Sequence, residues 1–274
     1  MAFFDQDLTV SSSAENGELS FPSADRWCWA GVPNGGFLLS MAAKAMANQL
    51  PHKDPVSVSA TFVSRTELAP VQANVELLGQ SKNLSQASVQ LVQEGQVRVQ
   101  AMGVFADLAS RKGVDFCDVA MPNIPSPEGC NRVTYPQSTF PDNVDILLTP
   151  ASERAGDNAD GKEAVVEGWI KFSDDRDPDL LALLTFADSF PRAMEMVVGT
   201  QGWIPTLDYQ VQCFAKPAPG YIACRFTTKR MSLGLLEETG ELWDSEGTLV
   251  AVCRQSASVR FNEQEEARVC ALMG

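Results

Sequence analysis

Pro33-Asn34-Gly35-Gly36-Phe37-Leu38-Leu39-Ser40-Met41-Ala42-Ala43-Lys44-Ala45-Met46-Ala47-Asn48-Gln49 opens on a turn and runs into a helix over 37–49 that Pro51 stops. Leu38, Met41, Ala42, Ala45 and Met46 recur at three- and four-residue spacing, so one face is almost wholly small or apolar and needs a sheet to bury it. Strand patterns follow at once, over 56–63, 72–78, 85–93 and 96–105, with Val58, Ala60 and Phe62 and then Val89 and Leu91 on alternating positions. Glu94-Gly95 between the last two is a tight hairpin signal. The stretch before the helix, 18–29, reads as extended.

The same order comes a second time. At an offset of 152 (214 − 62), Phe62 falls on Phe214, Glu94-Gly95 on Glu246-Gly247, and Gly36 on Asp188. An extended segment over 163–172 leads to Asp177-Pro178-Asp179, a helix start with the proline at the first helical position. Helical pieces over 180–186 and 192–198 are separated by Pro191, and strands follow over 206–214, 221–231, 235–244 and 248–260. Between the copies, 109–160 carries six prolines and little periodicity, and reads as a linker and excursion. Residues 1–108 are then a first repeat and 161–274 a second. A helix wrapped by a curved antiparallel sheet is the hotdog arrangement. Two in one chain predict an α+β double hotdog whose sheets can join.

Composition narrows the function. A net charge of −14 over 274 residues argues against nucleic acid, which is held by clustered Lys and Arg. No apolar run approaches the ~18 residues of a membrane span, and the acidic start has no positive n-region, so a cytoplasmic protein is expected. The seven cysteines are scattered, with no C-x-x-C pair, and read as buried small hydrophobes in a reducing compartment. The single histidine, His52, lies in the polar stretch Pro51-His52-Lys53-Asp54 and reads as an exposed loop residue, which leaves little for Ser-His-Asp or Cys-His catalysis.

Several short motifs, taken together in this order, resemble the acyl-CoA thioesterase II-like double hotdog enzymes. They are Pro33-Asn34-Gly35-Gly36, Phe62-Val63-Ser64-Arg65, Phe186-Ala187-Asp188-Ser189, Pro205-Thr206-Leu207-Asp208-Tyr209 and Leu249-Val250-Ala251-Val252-Cys253-Arg254-Gln255. The likeness covers most of the chain, with one departure where Gly79-Gln80-Ser81-Lys82 replaces a frequent Gly-Arg pair. It implies hydrolysis of a fatty or small acyl-CoA by a water that Asp188, Thr206 and Gln255 hold. No metal or bound cofactor is implied, coenzyme A entering only with the substrate. It also implies a homo-oligomer. A non-catalytic acyl-CoA binder and a hotdog hydratase or dehydratase are the alternatives, the latter relying on a histidine that His52 is poorly placed to supply.

The chemistry is consistent with the residue types. A thioester is already activated, so hydrolysis needs an oriented water, a proton acceptor and oxyanion donors, without a covalent nucleophile. A carboxylate such as Asp188 gains basicity in a partly dry cleft, and Thr206 and Gln255 can pin the same water. At Asn34, Gly35 and Gly36 the absence of side chains on the glycines would let a thioester oxygen reach backbone N–H groups. Each residue also has a structural reading: Asp188 as a helix N-cap, Thr206 as a strand residue, Gly35-Gly36 as a turn. Trp27, Trp29, Phe37, Phe186 and Trp203 could line an acyl pocket or simply fill the core. Lys216, Arg225, Lys229, Arg230 and Arg254 could meet coenzyme A phosphates or be solvated charges.

Overall fold

The structure is a computed structural model and describes residues 1–12, 18–135, 137–154, 163–199 and 204–273. After a short strand β1 (Leu19–Phe21) comes helix α1 (Gly35–Gln49), and then β2 (Asp54–Phe62), β3 (Val71–Gln80), β4 (Ser85–Gln93) and β5 (Gln96–Ala106). The second half contains β6 (Val144–Leu148), β7 (Val165–Phe172), helices α2 (Leu180–Phe186) and α3 (Glu195–Val198), β8 (Thr206–Cys213), β9 (Ile222–Thr227), β10 (Leu235–Trp243), β11 (Leu249–Ser258) and a C-terminal helix α4 (Glu263–Met273). The strands form one antiparallel sheet in the order β1-β3-β4-β5-β2-β8-β11-β10-β9-β7-β6. From β3 to β9 that order is the same read from either end once each strand is matched to its repeat-mate. This is a double hotdog with its two sheets joined edge to edge.

The join is where the repeat is most exact. Val58 pairs with Val211 and Ser59 with Gln210. Adding 152 to Val58 gives Gln210, and subtracting it from Val211 gives Ser59, so the offset maps one pair onto the other. A pseudo-twofold axis passes between the two pairs. Alternation does the rest: Val58, Ala60, Tyr209 and Val211 are buried, while Ser57, Ser59, Gln210 and Gln212 face outward.

Helix α1 is buried nearly all round from Gly36 to Ala47, because it lies across β2 to β5 on one side and meets α2 on the other. Its first turn is anchored by aromatic packing: Phe37 stacks on Trp27 with ring centroids 4.9 Å apart. The β4–β5 hairpin uses Glu94 and Gly95 at φ +51° and +73°, the two-residue turn that matches strand twist. Its counterpart is longer, with Gly247 at φ +80°.

Two local expectations differ from what is found. Pro178 precedes the N-cap of α2 instead of occupying its first position; the cap is Asp179, whose side chain accepts from the Ala182 N–H at 2.8 Å. The proline-rich stretch between the repeats also holds a strand. Val144, Ile146 and Leu148 alternate inward and β6 pairs with β7, an alternation that flanking prolines and a short length concealed. Trp203 lies outside the described residues.

Candidate active site

The chain turns sharply where α2 ends. The Asp188 N–H bonds the Thr185 carbonyl at 3.2 Å, and the Ser189 N–H bonds that of Phe186 at 3.2 Å. The Asp188 side chain therefore leaves its own helix and meets the first turn of α1. There its Oδ2 accepts from the Gly36 N–H at 3.0 Å and from Asn34 Nδ2 at 3.2 Å. Asp188 is not the cap of its own helix; it is an anion at the N-terminus of a neighbouring 15-residue one, where the helix dipole favours it. Gly36 and Asp188 are repeat-mates, so the glycine of one copy holds the carboxylate of the other.

Asn34 locks this contact from both ends. Its Oδ1 caps α1 by accepting from the Phe37 N–H at 2.8 Å, while Nδ2 also donates to the Asp188 carbonyl at 2.8 Å. Asn34→Ala removes the cap and the tether, and is expected to cost about 1–2 kcal/mol in chemical denaturation. Asn34→Ser restores the cap acceptor but not the reach to Asp188, so it should recover most of that stability. Equal stability of all three proteins would refute the assignment.

The glycines are required by space as well. A Cβ on Gly36 would lie 2.6 Å from the Leu184 carbonyl oxygen and 2.8 Å from that of Thr185. A Cβ on Gly35 would lie 2.9 Å from Asp188 Oδ2 and 2.9 Å from the Phe62 ring. The N–H of Gly36, expected to face an oxyanion, instead donates to Asp188.

On the other side of Asp188 lies a charged group that sequence reasoning missed. Arg192 Nη2 donates to Asp188 Oδ1 at 3.2 Å and to Thr206 Oγ1 at 2.9 Å, and Nη1 donates to Glu238 Oε1 at 3.3 Å. The Thr206 hydroxyl donates to Gln255 Oε1 at 3.1 Å, and Gln255 Nε2 donates to Glu238 Oε1 at 2.9 Å. Glu238 Oε2 accepts from the Ala193 N–H at 2.6 Å. Arg192, Thr206, Gln255 and Glu238 thus close a ring of hydrogen bonds in which each donor meets an acceptor, and this arrangement settles the orientation of the Gln255 amide.

The three residues expected around a water are therefore gathered, but through Arg192. Its Nη2 occupies ground between Asp188 and Thr206. A signal for Glu238 was present in the sequence: it shares the inward alternation of Leu236, Gly240 and Leu242, a register in which an acid needs a buried partner. Burial raises the carboxyl pKa of both Asp188 and Glu238 above the ordinary value, with Arg192 and backbone N–H groups opposing it.

Asp188, Arg192 and Thr206 open onto a cleft of about 380 Å³ between the two repeats. One wall is Pro33, Asn34, Gly35 and Leu38 with Phe62, the other Ser189 to Arg192 with Ile204 and Pro205, and Trp29 and Tyr135 line it too. Trp29 lines the cleft, its ring 4.7 Å from Tyr135 and 5.1 Å from Phe140. Phe37 and Phe186 do not line the cleft: both are fully buried, Phe37 against Trp27 and Phe186 against Phe172. Helical periodicity alone could not tell a pocket aromatic from a core one. Gln255 is also behind the cleft wall, 1% exposed.

The basic residues do not gather at this opening. Arg254 and Arg225 alternate with inward neighbours and, with Lys229, line a separate hollow on the outer face of the sheet beside Gln210 and Gln212. Lys216 pairs with Asp54 at 3.0 Å, Arg225 with Glu167 at 3.5 Å, and Arg230 is exposed. Arg65 stands at the cleft instead. His52 is half-buried and held by two partners, Nδ1 2.7 Å from Ser85 Oγ and Nε2 3.1 Å from the Lys82 carbonyl, away from Asp188. Among the described residues no helix is long and apolar enough to cross a membrane, and no cluster of His, Cys, Asp and Glu is arranged to hold a metal.

Comparison with known proteins reaches the same place. Residues 23–106 match the family described as acyl-CoA thioesterase N-terminal domain, and residues 119–259 the acyl-CoA thioesterase C-terminal domain. The fold is shared with a proposed thioesterase II from Thermobifida fusca, at 25% identity and a TM-score of 0.84 over 95% of this chain and 98% of that one. It is shared too with acyl-CoA thioesterase II TesB2 from Mycobacterium marinum, at 17% identity and a TM-score of 0.76 over 95% of this chain and 99% of that one. An uncharacterized protein of Mycobacterium tuberculosis is 24% identical over 260 residues, which cover 86% of this chain and 88% of that protein.

Proposed function

The chain belongs to the acyl-CoA thioesterase family and is a thioester hydrolase, and from that premise we propose that Asp188 is the base that activates the hydrolytic water. The observation that carries the reading is one buried carboxylate on the wall of the cleft, held by the start of α1 and by Arg192. Water attacks the thioester carbon directly, Asp188 accepts its proton, and Thr206 holds it from the second repeat. Gln255 acts through Thr206: its carbonyl accepts the hydroxyl hydrogen bond and Arg192 occupies one lone pair, which leaves the other lone pair of Thr206 to hold the water. The acyl group rests against Trp29, Leu38 and Phe62. The step needs no cofactor beyond the coenzyme A of the substrate. A cytoplasmic setting suits the seven unpaired cysteines, and a homo-oligomer is the assembly we expect.

The test is thiol release from acetyl-, butyryl-, octanoyl-, palmitoyl- and benzoyl-CoA, with a pH profile on the best substrate. Protonating Asp188 removes the acceptor, so kcat/KM falls as pH drops through its pKa. Burial has raised that pKa, and the acid limb should therefore lie above the ordinary aspartate value of about 3.9. A limb at or below that value would mean that Arg192 and the amides outweigh burial. Acyl-CoA binding without release anywhere on the panel would replace the hydrolase with a binding protein.

A further inference from the structure

We propose that Arg192 is a catalytic residue of this site, donating a hydrogen bond from its guanidinium to the thioester carbonyl oxygen as that oxygen becomes an oxyanion. The inference rests on the reading of Asp188 as the base.

Elimination supports it first. The Gly36 N–H and Asn34 Nδ2 both donate to Asp188, and the Gly35 N–H faces the same carboxylate, so these donors at the start of α1 hold the base and not the substrate. The Thr206 hydroxyl donates to Gln255. Arg192 is the cation beside Asp188 on the cleft wall, and its bonds to Asp188, Thr206 and Glu238 use three N–H groups. A guanidinium carries five, so the Nε N–H and the second N–H of Nη1 are the donors left for a substrate.

Rigidity supports it second. Glu238 is 2% exposed in its side chain, Arg192 15%, and Glu238 is itself fixed by the Ala193 N–H and Gln255 Nε2. If the guanidinium swung away, two buried carboxylates would lose their cation, so it stays in place while substrate comes and goes. A fixed charge, set before the reaction, is the arrangement that stabilises developing negative charge best.

The step balances without another reactant. The water oxygen bonds to the carbonyl carbon, its proton passes to Asp188, and the C=O electron pair moves onto the oxygen facing Arg192. On collapse the C–S bond breaks and the coenzyme A thiolate takes the proton from Asp188. Arg192 keeps all its protons throughout.

The deciding variant is Arg192→Met combined with Glu238→Gln, which removes one carboxylate together with the cation and leaves Asp188 as the only charge of the cluster, alongside Arg192→Lys; kcat is compared on the pH plateau of each protein, above its acid limb. We expect the double variant to lose about 10²–10³-fold in kcat with KM little changed, and the lysine variant to recover part of it. The second readout needs no turnover. In Asp188→Asn protein, the carbonyl infrared band of the bound, isotopically labelled best substrate should shift to lower frequency than in water, and the double variant should abolish the shift. Full kcat in the double variant overturns the role of Arg192 and leaves Asp188 standing. Lost kcat with the carbonyl shift intact also overturns it, because Arg192 is then only structural. No thiol release by the wild type overturns both.

Discussion

Asp188→Asn should lower kcat for thioester hydrolysis by about 10²–10⁴-fold, the usual contribution of a general base, with KM nearly unchanged and the fold retained. The substitution keeps the shape and removes the lone pair that takes the proton. Two donors, the Gly36 N–H and Asn34 Nδ2, face Oδ2, and one, Arg192 Nη2, faces Oδ1. The amide oxygen will turn to the pair, which leaves the new NH₂ against Arg192. That contact is unfavourable, but Arg192 still has Glu238 and Thr206.

Stability should change little because the environment already disfavours the charge. The Asp188 carboxyl pKa is raised by burial despite the cation and the amides around it. A group whose pKa is raised in the folded state gives stability that is present below its unfolded pKa and is lost as pH rises through the folded one. Above that folded-state pKa the charged Asp188 is therefore a modest burden that the amide relieves. Circular dichroism and a melting curve matching the wild type, with activity gone, are the expected pair of results. Undiminished kcat would remove Asp188 from the mechanism.

Much of this site was legible because two periodicities cooperated. Alternation in β2 and β8 and the three-four spacing of α1 placed the core, and an offset of 152 set Gly36 opposite Asp188. The structure joins those two residues by a hydrogen bond. What was not legible is the content of the gap between Asp188 and Thr206. Arg192 follows Pro191 at the start of the stretch that reads as a second helical piece, and nothing local reveals that a guanidinium there folds inward to reach a glutamate 46 residues away. Phe37 and Phe186 were misplaced for a similar reason: position on a buried helix says that a ring is inside, not whether it faces packing or a cleft.

Gly36→Ala should be among the most damaging small substitutions in the chain, while Gly35→Ala, one residue earlier, should separate activity from stability. Alanine ordinarily gains up to about 1 kcal/mol over glycine within a helix. At Gly36 the added methyl would sit 2.6 Å and 2.8 Å from the carbonyl oxygens of Leu184 and Thr185, backbone atoms in the last turn of α2 that cannot rotate away. The helices must move apart, and α1 and α2 are the centre of the core, so overpacking of about 3 kcal/mol is expected, or a fall in Tm of roughly 6–12 °C. At Gly35 the methyl meets the Asp188 carboxylate and the Phe62 ring, side-chain ends that can shift. The melting temperature should then stay near that of the wild type while kcat collapses, because the atom displaced is the one that accepts the proton. A Gly36→Ala protein as stable as the wild type would show that α1 and α2 do not approach so closely. An active Gly35→Ala enzyme would show that the reaction does not depend on where Asp188 Oδ2 is held.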